Sequence, residues 1–395
     1  MIDVAGRPPV SVRGPRAMPR PLAFVRSLDW VLLIAAGVLV GYGLWVVDGI
    51  TRFDVPGDEN YFLTRQTIAA VVGLCGLITA VLAPLDLVRR YWKLLYGVTL
   101  ALMVLVFAFA EEIRGSKRWI DLGVIQFQPS ELGKVLFVLA LAGFLVGRAG
   151  RVTSWRTIFI AIGLGAAPIL LVFLQPDLGT ALVYAAALLA VLFFAGVRWR
   201  QLLAFVAAGI FLVLSVLWFL PSAGVEVLEP YQSLRITGFL DPERDPSGLT
   251  WNVNQSTTAI GSGGFDGRGV LGATQTRLDF LPEHATDFAF ASLGEQRGFV
   301  GCAVLLLLYL LVVWRGLRVV TVAGDLYGAV VAGGLVFAFL FQVFINVGMT
   351  MGVAPVTGIP LPFVAVGGTS LVANLVLIGL LEGIHARGNY PGRSS

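Results

Sequence analysis

Charge is scarce in this sequence. Only 13% of its 395 residues are Asp, Glu, Lys or Arg, while 57% are hydrophobic, which leaves too little polar surface to cover a soluble globule of this length. The charged residues are bunched between long apolar runs, and that excludes an ordinary buried core as the source of the hydrophobicity. Cysteine is rarer still. Cys75 and Cys302 both lie inside apolar runs, so neither a disulfide framework nor a cysteine metal knuckle is available. The two histidines, His284 and His385, fall on opposite sides of the membrane in the topology below and cannot share a metal site. A continuous basic patch for nucleic acid is missing too, because the net charge of +4 comes from short clusters between apolar runs. No repeat of 20 to 50 residues is evident by eye. The Pro- and Arg-rich stretch from Met1 to Ser27 lacks a small-residue cleavage site after the first apolar run, which implies a cytoplasmic tail entering an uncleaved span.

What the chain has is apolar length. A window of about 20 residues, enough for a helix to cross the hydrocarbon core, selects ten spans. They centre on 30–48, 66–84, 94–110, 131–148, 157–174, 178–196, 201–220, 298–316, 327–349 and 364–383. The expected fold is therefore an all-α polytopic membrane protein. It has one transmembrane domain over 28–384, flanked by tails at 1–27 and 385–395.

An even number of spans puts both termini on one side. The basic residues Arg7, Arg13, Arg16, Arg20, Arg26, Arg89, Arg90, Lys93, Arg148, Arg151, Arg156, Arg198, Arg200, Arg315, Arg318, Arg387 and Arg393 all fall on that side, which marks it as cytoplasmic. Most acids, including Asp48, Asp54, Asp58, Glu59, Glu111, Glu112 and Asp121, fall on the other. Two outer connections stand out, at about 111–130 and 221–297. A connection as long as the second is usually functional or disordered, and its turn residues and interspersed apolar residues point to a folded, working loop.

Three constellations carry chemistry. In Leu281-Pro282-Glu283-His284-Ala285-Thr286-Asp287-Phe288 a proline-bounded turn delivers a Thr-Asp pair to the outer end of an apolar helix. Burial and the neighbouring Glu283 favour the neutral form of Asp287, while a helix N-terminus favours the charged form. A carboxylate poised this way suits general-base chemistry on a sugar hydroxyl; the simpler reading is that Thr286 and Asp287 cap the helix. The second constellation, Arg114-Gly115-Ser116-Lys117-Arg118-Trp119, places three cations and an indole on the acidic outer face, against the positive-inside bias. A lipid pyrophosphate would account for Lys117 and Arg118, with Trp119 stacking on a sugar; an interfacial aromatic belt is the alternative. The third, Gln128-Pro129-Ser130-Glu131-Leu132-Gly133-Lys134, opens the fourth span and sets Glu131 and Lys134 at i,i+3, where they can pair. Intramembrane charges are functional candidates, and a self-neutralising packing pair is the competing reading.

The glycine run from Gly261 to Gly269 lacks the lysine and Ser/Thr that end a phosphate-binding loop. An ATPase is thereby rejected, and a close-packed backbone path beneath a bulky substrate, or a flexible turn, is expected. Asn346 with Pro355, Pro360 and Pro362 marks a kinked or re-entrant outer connection after the ninth span.

Together these segments resemble the RodA/FtsW family of membrane glycosyltransferases, which join lipid II units outside the cytoplasmic membrane. The carriers are GSKRWI at 115–120, QPSELGK at 128–134, QPDLGTA at 175–181, FLDPERDP at 239–246, the glycine run, FLPEHATDF at 280–288, and 346–370 with PVTGIPLPF and GGTS. DPERDP and GATQT are similar to the RodA branch, which works in cell elongation. The resemblance implies that Asp287 is the essential carboxylate, removing a proton from the GlcNAc 4-hydroxyl as undecaprenyl pyrophosphate leaves. It also implies that Trp119 is an important tryptophan, with Arg118 in the same matching segment; beside these, Lys117 and Arg118 are the candidates for stabilising the pyrophosphate, and Glu283 and Thr286 are assigned to substrate binding. Glu131 and Lys134 match a buried acidic-basic pair. A divalent cation, Mg or Mn, is implied and a nucleotide is not; the implied partner is a class B penicillin-binding protein, with lipid II as substrate. One departure stands out: the family places histidine directly before Thr-Asp, whereas here Ala285 holds that place and His284 precedes it. A lipid flippase and a non-catalytic scaffold are the rival readings, and the concentration of unusual chemistry outside the midplane favours an enzyme.

Overall fold

A backbone in lipid must satisfy its own N–H and C=O groups, so long apolar runs become helices. The computed structural model describes residues 21–113, 116–121, 123, 126–219, 221 and 249–389. The FLDPERDP motif and the basic residues Arg7, Arg13, Arg16, Arg20, Arg114 and Arg393 lie outside the described residues. After a short helix α1 (Pro21–Arg26) come α2 (Trp30–Thr51), α3 (Tyr61–Leu82), the short α4 (Leu85–Arg90) and α5 (Trp92–Phe109). Then follow α6 (Pro129–Val146), α7 (Trp155–Phe173), α8 (Leu178–Phe194) and α9 (Trp199–Leu214). The later part holds α10 (Leu249–Gly263), two one-turn helices α11 (Gly269–Gly272) and α12 (Thr274–Arg277), α13 (Ala289–Val322), α14 (Leu326–Thr350) and α15 (Gly368–Gly388).

Eight of the described helices are long and apolar enough to cross a membrane: α2, α3, α5, α6, α7, α13, α14 and α15. The other two expected spans are present as shorter apolar helices, Leu178–Phe194 and Trp199–Phe211. Local chemistry sets several helix starts. Asp29 accepts from the amides of Val31 and Leu32, Ser154 from Thr157, Asp177 from Thr180 and Asp325 from Gly328, each meeting N–H groups that no helical carbonyl reaches. The long α13 loses helical geometry at Gly298 (φ 63°, ψ −160°), where the sequence pattern starts the eighth span.

The 111–130 connection is a small antiparallel sheet, β1 (Glu111–Ile113), β2 (Ser116–Asp121) and β3 (Gln126–Phe127) in the order β1-β2-β3. The glycine run does form a close-packed path, but against protein: a Cβ on Gly263 would run into the Gly294 carbonyl, and one on Gly267 into the Gln296 carbonyl. That run therefore braces the start of α13.

Helix α15 packs along α3 and lies against α6 and α13. Gly379 and Gly383 allow the close approach, because a Cβ at either would meet a carbonyl oxygen of α3, Leu77 or Val81. Small residues four apart let helix backbones touch where no hydrophobic drive separates protein from lipid. At one end of the bundle Asp29 pairs with Arg315 at 2.5 Å and its amide donates to Glu382, while the Ser27 carbonyl meets His385 Nδ1 at 3.1 Å. The opposite end carries the candidate site.

Candidate active site

Between α14 and α15 the chain runs without helix through 351–367, yet Thr357, Ile359, Leu361, Phe363, Val364 and Ala365 are buried. Such backbone survives at membrane depth only when protein groups take over its hydrogen bonds. Side chains do so here. Asn346 Nδ2 donates to the Ile359 carbonyl at 2.7 Å, Gln342 Nε2 to that of Pro360 at 3.0 Å, and the Tyr309 hydroxyl to that of Pro362. Gln66 on α3 uses both amide atoms, donating to the Ala365 carbonyl at 3.2 Å and accepting from the Gly367 amide at 3.3 Å. Gly43 clears the way on α2, since a Cβ there would strike the Phe363 carbonyl. Phe363 itself is held at φ +68°, a left-handed conformation that a bulky residue adopts only when its surroundings impose it.

The Glu283–Phe288 turn leans on this segment. The Val366 amide donates to the Ala285 carbonyl at 2.8 Å, and Asn346 Nδ2 also donates to the Asp287 carbonyl at 2.9 Å. Within the turn, the Thr286 and Phe288 amides both donate to the Glu283 carbonyl at 3.1 Å. The Thr286 hydroxyl donates to Glu283 Oε2 at 2.9 Å. Glu283 sits at φ +56°, so the turn stores strain that the surrounding bonds must hold. The N-cap of α13 is Phe288, which has no capping side chain; the simple capping reading of Thr286 and Asp287 does not describe this helix start. Glu283, Thr286 and Asp287 are all half-buried.

His284 turns the other way. Its Nε2 lies 3.1 Å from Asp54 Oδ1 in the connection between α2 and α3, and its Nδ1 lies 3.6 Å from Asp279. Burial alone would lower its pKa, but the hydrogen bond and charge of Asp54, the charge of Asp279 and the Leu281 backbone outweigh burial and raise it.

Arg118 lies on β2 and is buried. Its guanidinium donates to the Pro176 carbonyl and lies 3.8 Å from Asp177 Oδ1. Asp177 in turn accepts from Gln128 Nε2 at 3.2 Å, and the Gln128 amide donates to Thr369 Oγ1 at 3.1 Å. Arg118 is thus tied to the GGTS turn, three residues beyond the amide that holds Ala285. Its Nε is buried without a hydrogen-bond partner among the described residues. The half-buried Trp119 ring centroid is 6.0 Å from the guanidinium carbon. Lys117 occupies β2, and its side chain lies outside what is described.

The third constellation closes on itself inside the bundle. Lys134 Nζ is 2.8 Å from Glu131 Oε2 and donates to Gln342 Oε1 at 2.6 Å. The Tyr184 hydroxyl holds the Ser130 carbonyl at 2.8 Å. Among the described residues no group of three or more His, Cys, Asp or Glu side chains could hold a metal ion, so the described side chains offer no ready cage for a divalent cation.

Sequence reasoning passed over Gln66, Tyr309 and Gln342, and read Asp177 only as part of the QPDLGTA turn. The available signal was amides inside apolar runs: Gln342 and Asn346, four apart on α14, share one helix face.

Residues 25–390 match the family model FTSW_RODA_SPOVE, described as cell cycle protein. The chain is 38% identical over 357 residues to the peptidoglycan glycosyltransferase MrdB of Escherichia coli, covering 90% of this chain and 94% of that one. It is 35% identical over 363 residues to stage V sporulation protein E of Bacillus subtilis, covering 91% and 96%. Among solved structures, one chain from work on the structural coordination of polymerization and crosslinking by a peptidoglycan synthase complex matches with a TM-score of 0.78 at 32% identity. That match covers 92% of this chain and 98% of the other. The rod shape determining protein RodA of Thermus thermophilus matches with a TM-score of 0.65 at 28% identity, covering 91% and 96%. With a family model matched from residue 25 to 390 and a relative 38% identical to it over 90% of its length, this chain belongs to the FtsW/RodA/SpoVE family.

Proposed function

We propose that this protein is a peptidoglycan glycosyltransferase that polymerises lipid II on the outer face of the cytoplasmic membrane during cell elongation. The observation that carries the reading is the 38% identity over nearly the whole chain to a relative named for that activity, combined with the braced turn that presents Asp287. In the proposed reaction Asp287 takes the proton of the GlcNAc 4-hydroxyl. That oxygen forms a bond to the anomeric carbon of the lipid-linked MurNAc, and the bond to undecaprenyl pyrophosphate breaks with inversion. The leaving group carries its own activation, so no nucleotide is required, and the protein aligns the reactants and stabilises charge.

Glu283 and Thr286 are assigned to orient the acceptor sugar, because their mutual hydrogen bond fixes both beside Asp287. Trp119 and Lys117 are assigned to the donor lipid. Arg118 acts from a buried position, where its charge faces the outer end of α8. The implied cation would have to be held largely by substrate pyrophosphate, and no step is routed through it. Both α8 and α9 are taken to cross the membrane, which gives ten spans and two cytoplasmic termini. A class B penicillin-binding protein is the proposed partner, in keeping with the matched synthase complex.

The flippase reading needs intramembrane charges lining a path. Glu131 and Lys134 are instead buried and paired with each other, which favours a structural role. The test is polymerisation of purified lipid II by the detergent-solubilised protein fused to its penicillin-binding partner, comparing wild type with Asp287→Asn. Polymer from wild type and none from a folded Asp287→Asn is expected. Equal polymer from both removes Asp287 from catalysis.

A further inference from the structure

We infer that Asn346 is a positioning residue for Asp287, and that Gln342, one helical turn earlier, ties it to the Glu131–Lys134 pair. The inference rests on the reading of Asp287 as the base. Asn346 is completely buried on α14, in a helix otherwise made almost entirely of apolar and small residues. Its Nδ2 carries two hydrogens, and both are used, one on the Asp287 carbonyl and one on the Ile359 carbonyl. Its Oδ1 is buried without a hydrogen-bond partner among the described residues. A residue kept only for packing would not carry an orphaned acceptor into the bundle; leucine would fill the space without it.

The donors go where they matter. The main chain of Asp287 is gripped at the residue itself, next to a turn that is strained at Glu283, so the bond to Asn346 sets where the carboxylate starts from. Gln342 lies four residues earlier on the same face of α14. It accepts from Lys134 Nζ and donates to the Pro360 carbonyl, while Asn346 takes the adjacent Ile359 carbonyl. The two amides and two consecutive peptide groups of the 351–367 segment thus form a continuous connection from the buried ion pair to the backbone of Asp287. This gives the pair a task that its burial alone does not explain. Asn346 acts through Asp287 and does not touch substrate.

The test compares Asn346→Leu, Asn346→Asp and Asn346→Gln with Asp287→Asn in the partner-fused protein, reading kcat and KM for lipid II and the thermal midpoint in detergent. Leu removes both donors; Asp replaces them with an oxygen facing two carbonyl oxygens; Gln keeps them one methylene further out. For Leu and Asp, kcat falls on the order of 100-fold with KM within about twofold of wild type, as expected when a reacting group is misplaced. Gln recovers part of the loss. Wild-type kcat in a folded Leu or Asp variant, a loss carried by KM, or a Gln variant no better than Asp overturns the proposal. Loss of fold in every variant also overturns it, by assigning Asn346 to stability. If Asp287→Asn polymerises like wild type, the reading of Asp287 fails; if it is inactive while Asn346→Leu is fully active, only the present inference fails.

Discussion

Replacing Lys134 by methionine removes one charge from a pair that has no water to fall back on. The Glu131 and Lys134 side chains are 2% and 4% exposed with the ions 2.8 Å apart. At an effective dielectric of about 20 their attraction is about 6 kcal/mol, most of which offsets the desolvation of both groups. Taking away the cation strands the carboxylate and also removes the charge-assisted bond to Gln342, so a loss of about 3–5 kcal/mol is expected. The double variant Glu131→Gln, Lys134→Met replaces both charges with near-isosteric groups and should lie within about 1–2 kcal/mol of wild type. The assay is thermal unfolding in detergent monitored by size-exclusion fluorescence. Because the pair is shielded, the gap between single and double variants should not shrink at high salt. A single variant as stable as the double would refute the reasoning, since the buried carboxylate would then have found compensation elsewhere.

The His284–Asp54 contact predicts a pH dependence. The folded pKa of His284 is raised, so its stabilisation is fully present below the ordinary histidine value of about 6.5 and is lost as pH rises through the folded value. The thermal midpoint of wild type should therefore exceed that of His284→Gln at about pH 5.5 and the gap should narrow towards about pH 9; a constant gap would count against an ion pair. At the crossing of α15 with α3, Gly379→Val drives a side chain into the Leu77 carbonyl and should cost about 1–3 kcal/mol. Gly163→Ala, where an added Cβ meets nothing within 4 Å, should be neutral or stabilising by up to about 1 kcal/mol. Equal thermal shifts in the two variants would show that the α3–α15 approach is not limited by those glycines.

What was legible in the sequence follows one physical rule: apolar runs in lipid leave the backbone few choices, so helices appear almost where hydropathy places them. The Glu131–Lys134 pair was legible for the same reason, because i,i+3 spacing on a helix fixes which side chains meet. The re-entrant segment was visible only as a cluster of prolines after Asn346. Its supports come from α2, α3, α13 and α14, at separations that no local pattern encodes. The small sheet escaped because its strands are short and charged, so composition gave no alternation to read. Arg118 shows what a local pattern leaves out: three cations beside an indole suggest a lipid pyrophosphate, while the burial of the guanidinium against Pro176 and Asp177 comes from an element far away in the chain.

The histidine of this turn follows the same logic of backbone support. At position 285 the chain has alanine, half-buried, with its carbonyl taking the Val366 amide at 2.8 Å. One place earlier, His284 is turned towards Asp54 and Asp279, and its own carbonyl accepts from the Ser292 hydroxyl at 3.1 Å. The Asp287 turn is thus gripped on two sides: by the 351–367 segment and α14 through backbone bonds, and by the connection between α2 and α3 through an ion pair. Only the second grip depends on pH. Raising the pH should loosen the attachment to Asp54 while the Asn346 bond to the Asp287 carbonyl persists, since neither of its partners titrates. The site therefore couples to the connection between α2 and α3 through a histidine, and that makes the coupling sensitive to protons.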